Sequence, residues 1–315
     1  MAIRRYPSFL RMAFLPLFSF PLAGIAQQTM PPSAYAAEIV KERQEYNRLL
    51  RTSPFSHLAL VYRQYLGTAT RVSIGSSPTA GVRLEGRDIS PVHAVIEGNS
   101  LTPTLRAQSQ AALSTADNPP RRLAELLLKD GTKFRIGRFH LLYRLNPPWG
   151  RTLEVFDPEA PAFRQFSGVE FFPVDPAYRI SGEVIPHTPR AKPERVVLLD
   201  SQGREQPWWL YGELRFRLQA TPSRLELYTL TLDPQEIQKE GFMLIFNDAT
   251  SGKESFPGAR YLYVEGKMAG AITVDFNRTF NPPCVYSPVY TCAFPRPQNR
   301  LAGAVRAGAK WYRKK

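Results

Sequence analysis

The chain has 315 residues, 43% of them apolar and 12% aromatic, enough to bury a core, which excludes wholesale disorder. Its 29 prolines, about 9% of the chain against an average near 5%, and its 20 glycines argue against long uninterrupted helices and favour short strands and turns. The formal charge of +14 points at first to nucleic acid, yet residues 1–26 carry +3 of it and residues 276–315 carry +8, neither with an acid, leaving +3 for residues 27–275. No nucleic-acid partner is expected.

The N-terminus holds Arg4, Arg5 and Arg11, then the apolar run Met12 to Ile25, then Gly24-Ile25-Ala26 before Gln27. This is the layout of a secretory signal peptide over residues 1–26, cleaved after Ala26. The run is shorter than the ~20 residues that span a bilayer, and Pro16 and Pro21 interrupt it. A mature chain without a transmembrane segment, periplasmic or secreted, is the expectation, and an uncleaved N-terminal anchor is the alternative. In an oxidising compartment, Cys284 and Cys292, the two cysteines of the chain, are expected to form a disulfide closing a Pro-rich loop. Zinc normally takes four ligands, and His57, His93, His140 and His187 are scattered, so no metal site is expected.

Residues 27–54 read as a linker and one amphipathic helix, Ala36 to Arg51, with Ile39, Val40, Tyr46, Leu49 and Leu50 on a charged background. Residues 55–155 read as a first β module. Leu58 to Leu84 alternates apolar and polar residues, Val92 to Glu97 and Arg135 to Leu145 do the same, and Gln108 to Arg122, rich in Ala, Ser, Asn and Pro, reads as a loop. Residues 156–305 read as a second β domain, a sandwich or a barrel. It opens with Phe166, Val169, Phe171, Phe172 and Tyr178, expected in a core, and continues with strand-like runs at Glu194 to Leu199, Trp208 to Leu218, Leu225 to Leu232, Met243 to Asn247, Arg260 to Val264 and Ala271 to Phe276. Residues 306–315 form a basic tail with Trp311 and Tyr312, suited to weak contact with an anionic surface or simply solvated. The fold class is thus mainly β, two β-rich modules preceded by one helix.

Gly168-Val-Glu-Phe-Phe-Pro-Val-Asp-Pro-Ala-Tyr-Arg179, Phe246-Asn-Asp-Ala-Thr-Ser-Gly-Lys-Glu-Ser-Phe-Pro-Gly-Ala-Arg-Tyr261, Asp275-Phe-Asn277, Asn281-Pro-Pro-Cys284 and Pro297-Gln-Asn-Arg-Leu301 together resemble the bacterial and archaeal family called domain of unknown function 1684 (DUF-1684). The resemblance runs from about Ala36 to Lys310 and implies no particular chemistry. Inside the first module, Arg71-Val-Ser-Ile-Gly-Ser76, Asp88-Ile-Ser-Pro-Val-His-Ala-Val-Ile96 and Leu128-Lys-Asp-Gly-Thr-Lys-Phe-Arg-Ile-Gly137 resemble a forkhead-associated (FHA) β-sandwich. That family binds phosphothreonine through an Arg after the first Gly and a Ser three residues before a His. Ser90 and His93 match, but Ser76 stands at the Arg position and the usual Asn-Gly turn is not evident. The resemblance implies the sandwich with its phosphate site lost.

The densest set of polar groups is Asn247, Asp248, Thr250, Lys253, Glu254 and Arg260, followed by Asp275, Asn277, Arg278 and Asn281. Carboxylates, amides and cations at strand ends can orient a small anionic or hydroxylated ligand. In a catalytic version Asp248 or Asp275 serves as general acid or base and Lys253 or Arg260 stabilises a developing anion. The same residues can equally brace turns, because Asp and Thr hydrogen-bond the local backbone. Three readings therefore stand: an accessory protein of the cell envelope that binds a small polar ligand or envelope component, a hydrolase using Asp248 and Asp275, or a scaffold without a ligand site. Whether the protein is an enzyme stays open. No Gly-x-Ser-x-Gly elbow, phosphate-binding loop, dinucleotide fingerprint or His-Glu-x-x-His motif appears, so no cofactor is expected.

Overall fold

The computed structural model describes residues 32–98, 101–108, 113–146, 150–188, 192–229, 231–265 and 267–313. The expected signal peptide lies outside them. Among the described residues, 50–166 form one compact unit and 32–49 with 167–313 form another.

Unit 50–166 contains strands β1 (Leu60–Tyr65), β2 (Arg71–Gly75), β3 (Val82–Arg83), β4 (Ala94–Glu97), β5 (Thr104–Ala107), β6 (Leu113–Thr115), β7 (Arg122–Leu123), β8 (Glu125–Leu127), β9 (Lys133–Ile136), β10 (Phe139–Asn146) and β11 (Gly150–Phe156). They make a six-stranded sheet, β1-β11-β10-β9-β6-β7, and a five-stranded sheet, β3-β2-β4-β5-β8. Alternation decides the faces: Ile74, Ala94, Ile96 and Leu105 of one sheet join Phe134, Ile136, Leu141, Tyr143, Leu153 and Val155 of the other in one buried cluster. This is a sandwich, the architecture that the FHA resemblance implies. Arg135 to Leu145 is a hairpin rather than one strand, because Gly137 turns the chain between β9 and β10 with φ +54°. The expected loop Gln108 to Arg122 contains β6, a three-residue strand too short and too polar to show a period.

The other unit begins with helix α1, Pro32–Thr52, four residues longer at its start than its apolar spacing predicts. Strands β12 (Arg179–Pro186), β13 (Glu194–Leu199), β14 (Glu205–Leu218), β15 (Thr221–Thr229), β16 (Phe242–Phe246), β17 (Arg260–Val264) and β18 (Gly270–Asp275) form one seven-stranded sheet curled into a half-barrel. Their order is β17-β16-β15-β14-β12-β18, with β13 on the first half of β14. The pairing shifts at Leu210/Gly212, and this bulge lets 14-residue β14 bend. Tyr211, Leu214, Leu227, Phe242, Leu244, Leu262, Val274 and Phe276 fill the concave core with Val305 and Ala307. Short helices at Pro161–Gln165 and Pro234–Glu240 were not evident in the residue pattern; each starts on a Pro, which tolerates the first helical position. Of the aromatic run, Phe166, Val169, Phe172 and Tyr178 are buried as expected.

Candidate functional site

The motif between β16 and β17 is built around a buried ion pair. All five residues of β16 are buried, so the strand delivers Asn247 and Asp248 straight from the core. Asp248 is fully buried and Arg260, the first residue of β17, is 2% exposed. Arg260 Nη1 donates to Asp248 Oδ2 at 2.6 Å and to the Val305 carbonyl at 2.7 Å, and Nη2 donates to the Ala307 carbonyl. Asp248 Oδ1 accepts from the N–H groups of Thr250 at 2.6 Å and Val305 at 3.4 Å. Burial lowers the guanidinium's affinity for its proton, and Asp248 opposes that. The rings of Phe246 and Phe172 stand 5.5 and 5.9 Å from the guanidinium carbon. The pair therefore joins the turn after β16 to the C-terminal segment 305–307.

The turn organises itself locally. The Thr250 carbonyl accepts from the N–H groups of Lys253, Glu254 and Ser255 at 2.9–3.1 Å, and the Thr250 and Ser255 hydroxyls lie 2.7 Å apart. Gly252 at φ +82° makes the bend. Asn247 exchanges backbone bonds with Asn299 and Leu301 and gives its amide to the Gly258 carbonyl at 3.3 Å. Lys253 and Glu254 point outward; Glu254 pairs with Arg306 at 3.1 Å.

A second polar cluster forms where β18 ends. Asp275, 7% exposed, caps the 3-10 turn Phe276–Arg278 by accepting from the Asn277 N–H at 3.0 Å. Tyr35 of α1 donates its hydroxyl to both Asp275 oxygens at 2.8 Å. Asn277 Nδ2 reaches Tyr35 Oη, the Asp175 carbonyl and Asp275 Oδ1 at 2.8–3.1 Å, and Asn277 Oδ1 accepts from the Asp175 N–H at 3.1 Å. Arg278 donates to Glu42 at 2.8 and 2.9 Å and to Glu38 at 2.9 Å, with Asp275 at 3.4 Å. Arg43 donates to the Phe172 and Asn277 carbonyls at 2.8 and 3.1 Å. Positions 35, 38, 42 and 46 share one helix face, so α1 is held to this unit by these polar contacts as well as by buried Ile39. Burial and the Asp275 carboxylate push the Tyr35 phenol well above its usual range and keep it a donor. Burial pulls Arg278 down, but Glu42, Asp275 and Glu38 outweigh it, and the net shift is upward.

The sequence-selected residues thus separate into two internal clusters. Asn247, Asp248, Thr250 and Arg260 form one; Asp275 and Asn277 form the other; and Asn281 gives its amide to the Lys310 carbonyl at 2.8 Å. Lys253 is exposed, and none of its contacts involves Asp248 or Asp275 among the described residues. Cys284 and Cys292 are adjacent but not bridged in this structure: the Cys292 sulfur accepts from the Cys284 N–H at 3.1 Å. Residues 306–313 are threaded through the unit, with Ala307, Ala309 and Tyr312 buried. Gly308 there has φ +74°, and a Cβ on it would lie 2.5 Å from the Thr279 carbonyl oxygen. In the sandwich, Ser76, at the Arg position, donates Oγ to the Ile89 carbonyl at 2.9 Å, and the matching pair bonds to itself, His93 Nδ1 accepting from the Ser90 N–H at 3.3 Å.

Residue-level reading missed Tyr35, Glu38 and Glu42, which lie some 240 positions from their partners, and Asn299, whose amide ties Glu226 to Ile245. A spacing of polar residues on the α1 face opposite to solvent was the available signal. Among the described residues no group of three His, Cys, Asp or Glu side chains is arranged to hold a metal ion, and no helix is long and apolar enough to cross a membrane.

Fold and site define a class: a two-unit, mainly β protein whose half-barrel unit is closed by buried polar struts. Residues 164–310, all but the first three in that unit, match the family model described as protein of unknown function (DUF1684). The match starts well after Ala36, where the resemblance in sequence was expected to begin. The chain is also similar to the solution NMR structure of an uncharacterized protein of Haloarcula marismortui, 29% identical, covering 49% of this chain and 82% of that one with a TM-score of 0.38. Two further similar structures are the first FHA domain of Mycobacterium tuberculosis Rv1747, at 20% identity, 28% and 80% coverage and a TM-score of 0.21, and one described as an analysis of phosphothreonine-dependent FHA domain interactions, at 23%, 24% and 78%, and 0.22. No curated protein matches.

Proposed function

We propose that this is an exported, non-catalytic accessory protein of the cell envelope, whose family motif holds its own chain together. One observation carries the reading: both carboxylates that a hydrolase would use are engaged internally, Asp248 with Arg260 and two backbone N–H groups, Asp275 with Tyr35, Asn277 and Arg278. A general acid or base must reach the proton it transfers, and each of these groups faces its own structural partners instead. Export rests on the charge and apolar pattern of residues 1–26, and with export comes a Cys284–Cys292 bridge.

Thermal unfolding of the mature chain against sugars, peptidoglycan fragments, organic anions, nucleotides and divalent metals tests the reading, because a ligand that prefers the folded state raises its Tm. No shift is expected from any class, and Asp275→Ala is expected to lower Tm equally with and without each compound. A rise of several degrees for one class, lost in Asp275→Ala, would replace the scaffold with a binding site.

A further inference from the structure

We propose that Cys284 and Cys292 act as a redox latch on α1, a proposal that rests on the bridge assigned above. The loop 284–292 is tied to the half-barrel at both ends. Its C-terminal end is tied to the hairpin after β13: the Cys292 carbonyl accepts from the Ser201 N–H at 3.0 Å, the Phe294 N–H donates to the Leu199 carbonyl at 2.7 Å, and the Tyr261 hydroxyl donates to the Ala293 carbonyl at 2.8 Å. At its N-terminal end Phe280 exchanges backbone bonds with Tyr261 at 2.9 and 3.1 Å and Asn281 gives its amide to the Lys310 carbonyl, after which the chain makes a single 3-10 turn, Pro283–Val285.

Between these ends lies Tyr286, fully buried, with its hydroxyl 3.0 Å from that of Tyr46 on α1 and its ring 5.5 Å from that of Tyr312. Tyr46 in turn meets Phe171 edge-on at 6.4 Å. Burial pushes the Tyr46 phenol up to about 12, and the Tyr286 hydroxyl is the hydrogen-bond partner that meets it there. When the loop opens, Tyr286 leaves Tyr46 and α1 loses that contact, keeping those of Arg43 with the Phe172 and Asn277 carbonyls and of Asn47 with Val169 at 2.7 and 3.1 Å. Bridging Cys284 to Cys292 closes the loop that carries Tyr286 with a covalent bond and narrows the ensemble of its open forms.

The step is a thiol–disulfide exchange with a small disulfide such as oxidised glutathione. One Cys thiolate attacks it and expels one small thiol. The second Cys then displaces the other from the mixed disulfide, so the protein loses two electrons and two protons, and the small disulfide is reduced to two thiols. The Cys284 N–H, 3.1 Å from the Cys292 sulfur, shows the two residues within reach of each other.

The test uses the full mature chain equilibrated with oxidised glutathione or with a reducing dithiol. Intact mass after alkylation reports the bridge, and hydrogen exchange at the amides of residues 40–49 reports the latch. Oxidation is expected to slow exchange there about tenfold. In Tyr286→Phe, the bridge is expected to form as before while the redox difference in α1 disappears. Equal exchange in both redox states of a chain whose bridge has formed would overturn the latch and leave the bridge standing. Failure of the bridge to form would overturn both, and a Tyr286→Phe chain that keeps the full difference would show that the Tyr46 contact does not carry it.

Discussion

Arg260 shows how far a residue's role depends on its surroundings. In the sequence it is one cation among several beside a polar turn; in the fold it is a buried strut bonded to Asp248 and to the carbonyls of Val305 and Ala307. Replacing one partner leaves the other charge buried and unpaired, which typically costs about 3–5 kcal/mol. Arg260→Ala is therefore expected to lower the stability of the half-barrel by about that amount in urea unfolding, and Asp248→Asn by less, since the amide still accepts from Thr250 and Val305. A loss within experimental error in both would show that the pair is not the strut described. Arg151 plays the same part in the sandwich, giving bonds of 2.6–3.1 Å to the Gly67, Ala69 and Gly98 carbonyls, and nothing in its neighbours along the chain announces it. The histidines are legible in the other direction. Burial holds His57 at about 4, and burial with Arg135 holds His140 at about 4. Both are neutral in the fold and take up protons on unfolding below about 6.5, so the stability they contribute is lost as pH falls from about 6.5 towards 4. Glu154, raised mainly by burial, works in the opposite sense. The variant H57Q/H140Q is accordingly expected to lose less stability than the native chain over that interval, measured by urea unfolding at each pH.

At the scale of elements, the β14–β15 hairpin carries a conflict between sequence and geometry. Leu218 pairs with Thr221, so Gln219 and Ala220 form a two-residue turn with φ +47° and +66°. Both positions are left-handed, which such turns normally meet with Asn-Gly. The double substitution Q219N/A220G relieves that strain and is expected to raise stability by about 1 kcal/mol, seen as a higher urea midpoint at unchanged slope. The strand runs from Glu194 to Phe276 were legible because apolar alternation and flanking Gly and Pro survive in isolation. Helix α1 was legible from its apolar spacing, but not the Tyr35, Glu38 and Glu42 contacts that hold it, because their partners lie in a distant part of the chain.

For the whole molecule, the division at residues 50–166 follows from two separate buried clusters, one inside the sandwich and one inside the half-barrel. The family match at 164–310 falls in the second from residue 167 on. If residues 1–26 are removed on export, intact mass of the chain purified from its native cell is expected to correspond to a start at Gln27, recovered from the extracytoplasmic fraction. A start at Met1 in the cytoplasmic fraction would remove export, and with it the setting for the bridge.

By itself, the amino-acid sequence determined the mainly β class, helix α1 and the strand runs from Glu194 to Phe276, and it singled out Asp248, Arg260, Asp275 and Asn277, because alternation, proline placement and composition act locally and need no partner. The tertiary structure decided what those residues are for. Asp248 and Arg260 read equally well as ligand groups or as struts until β17 brings Arg260 to 2.6 Å from the carboxylate and the C-terminal segment closes over both. Asp275 became an anchor for α1 only once Tyr35 arrived from 240 residues away. A polar side chain's function depends on whether water or protein fills its remaining hydrogen bonds, and that is settled by packing between segments whose proximity no local pattern encodes.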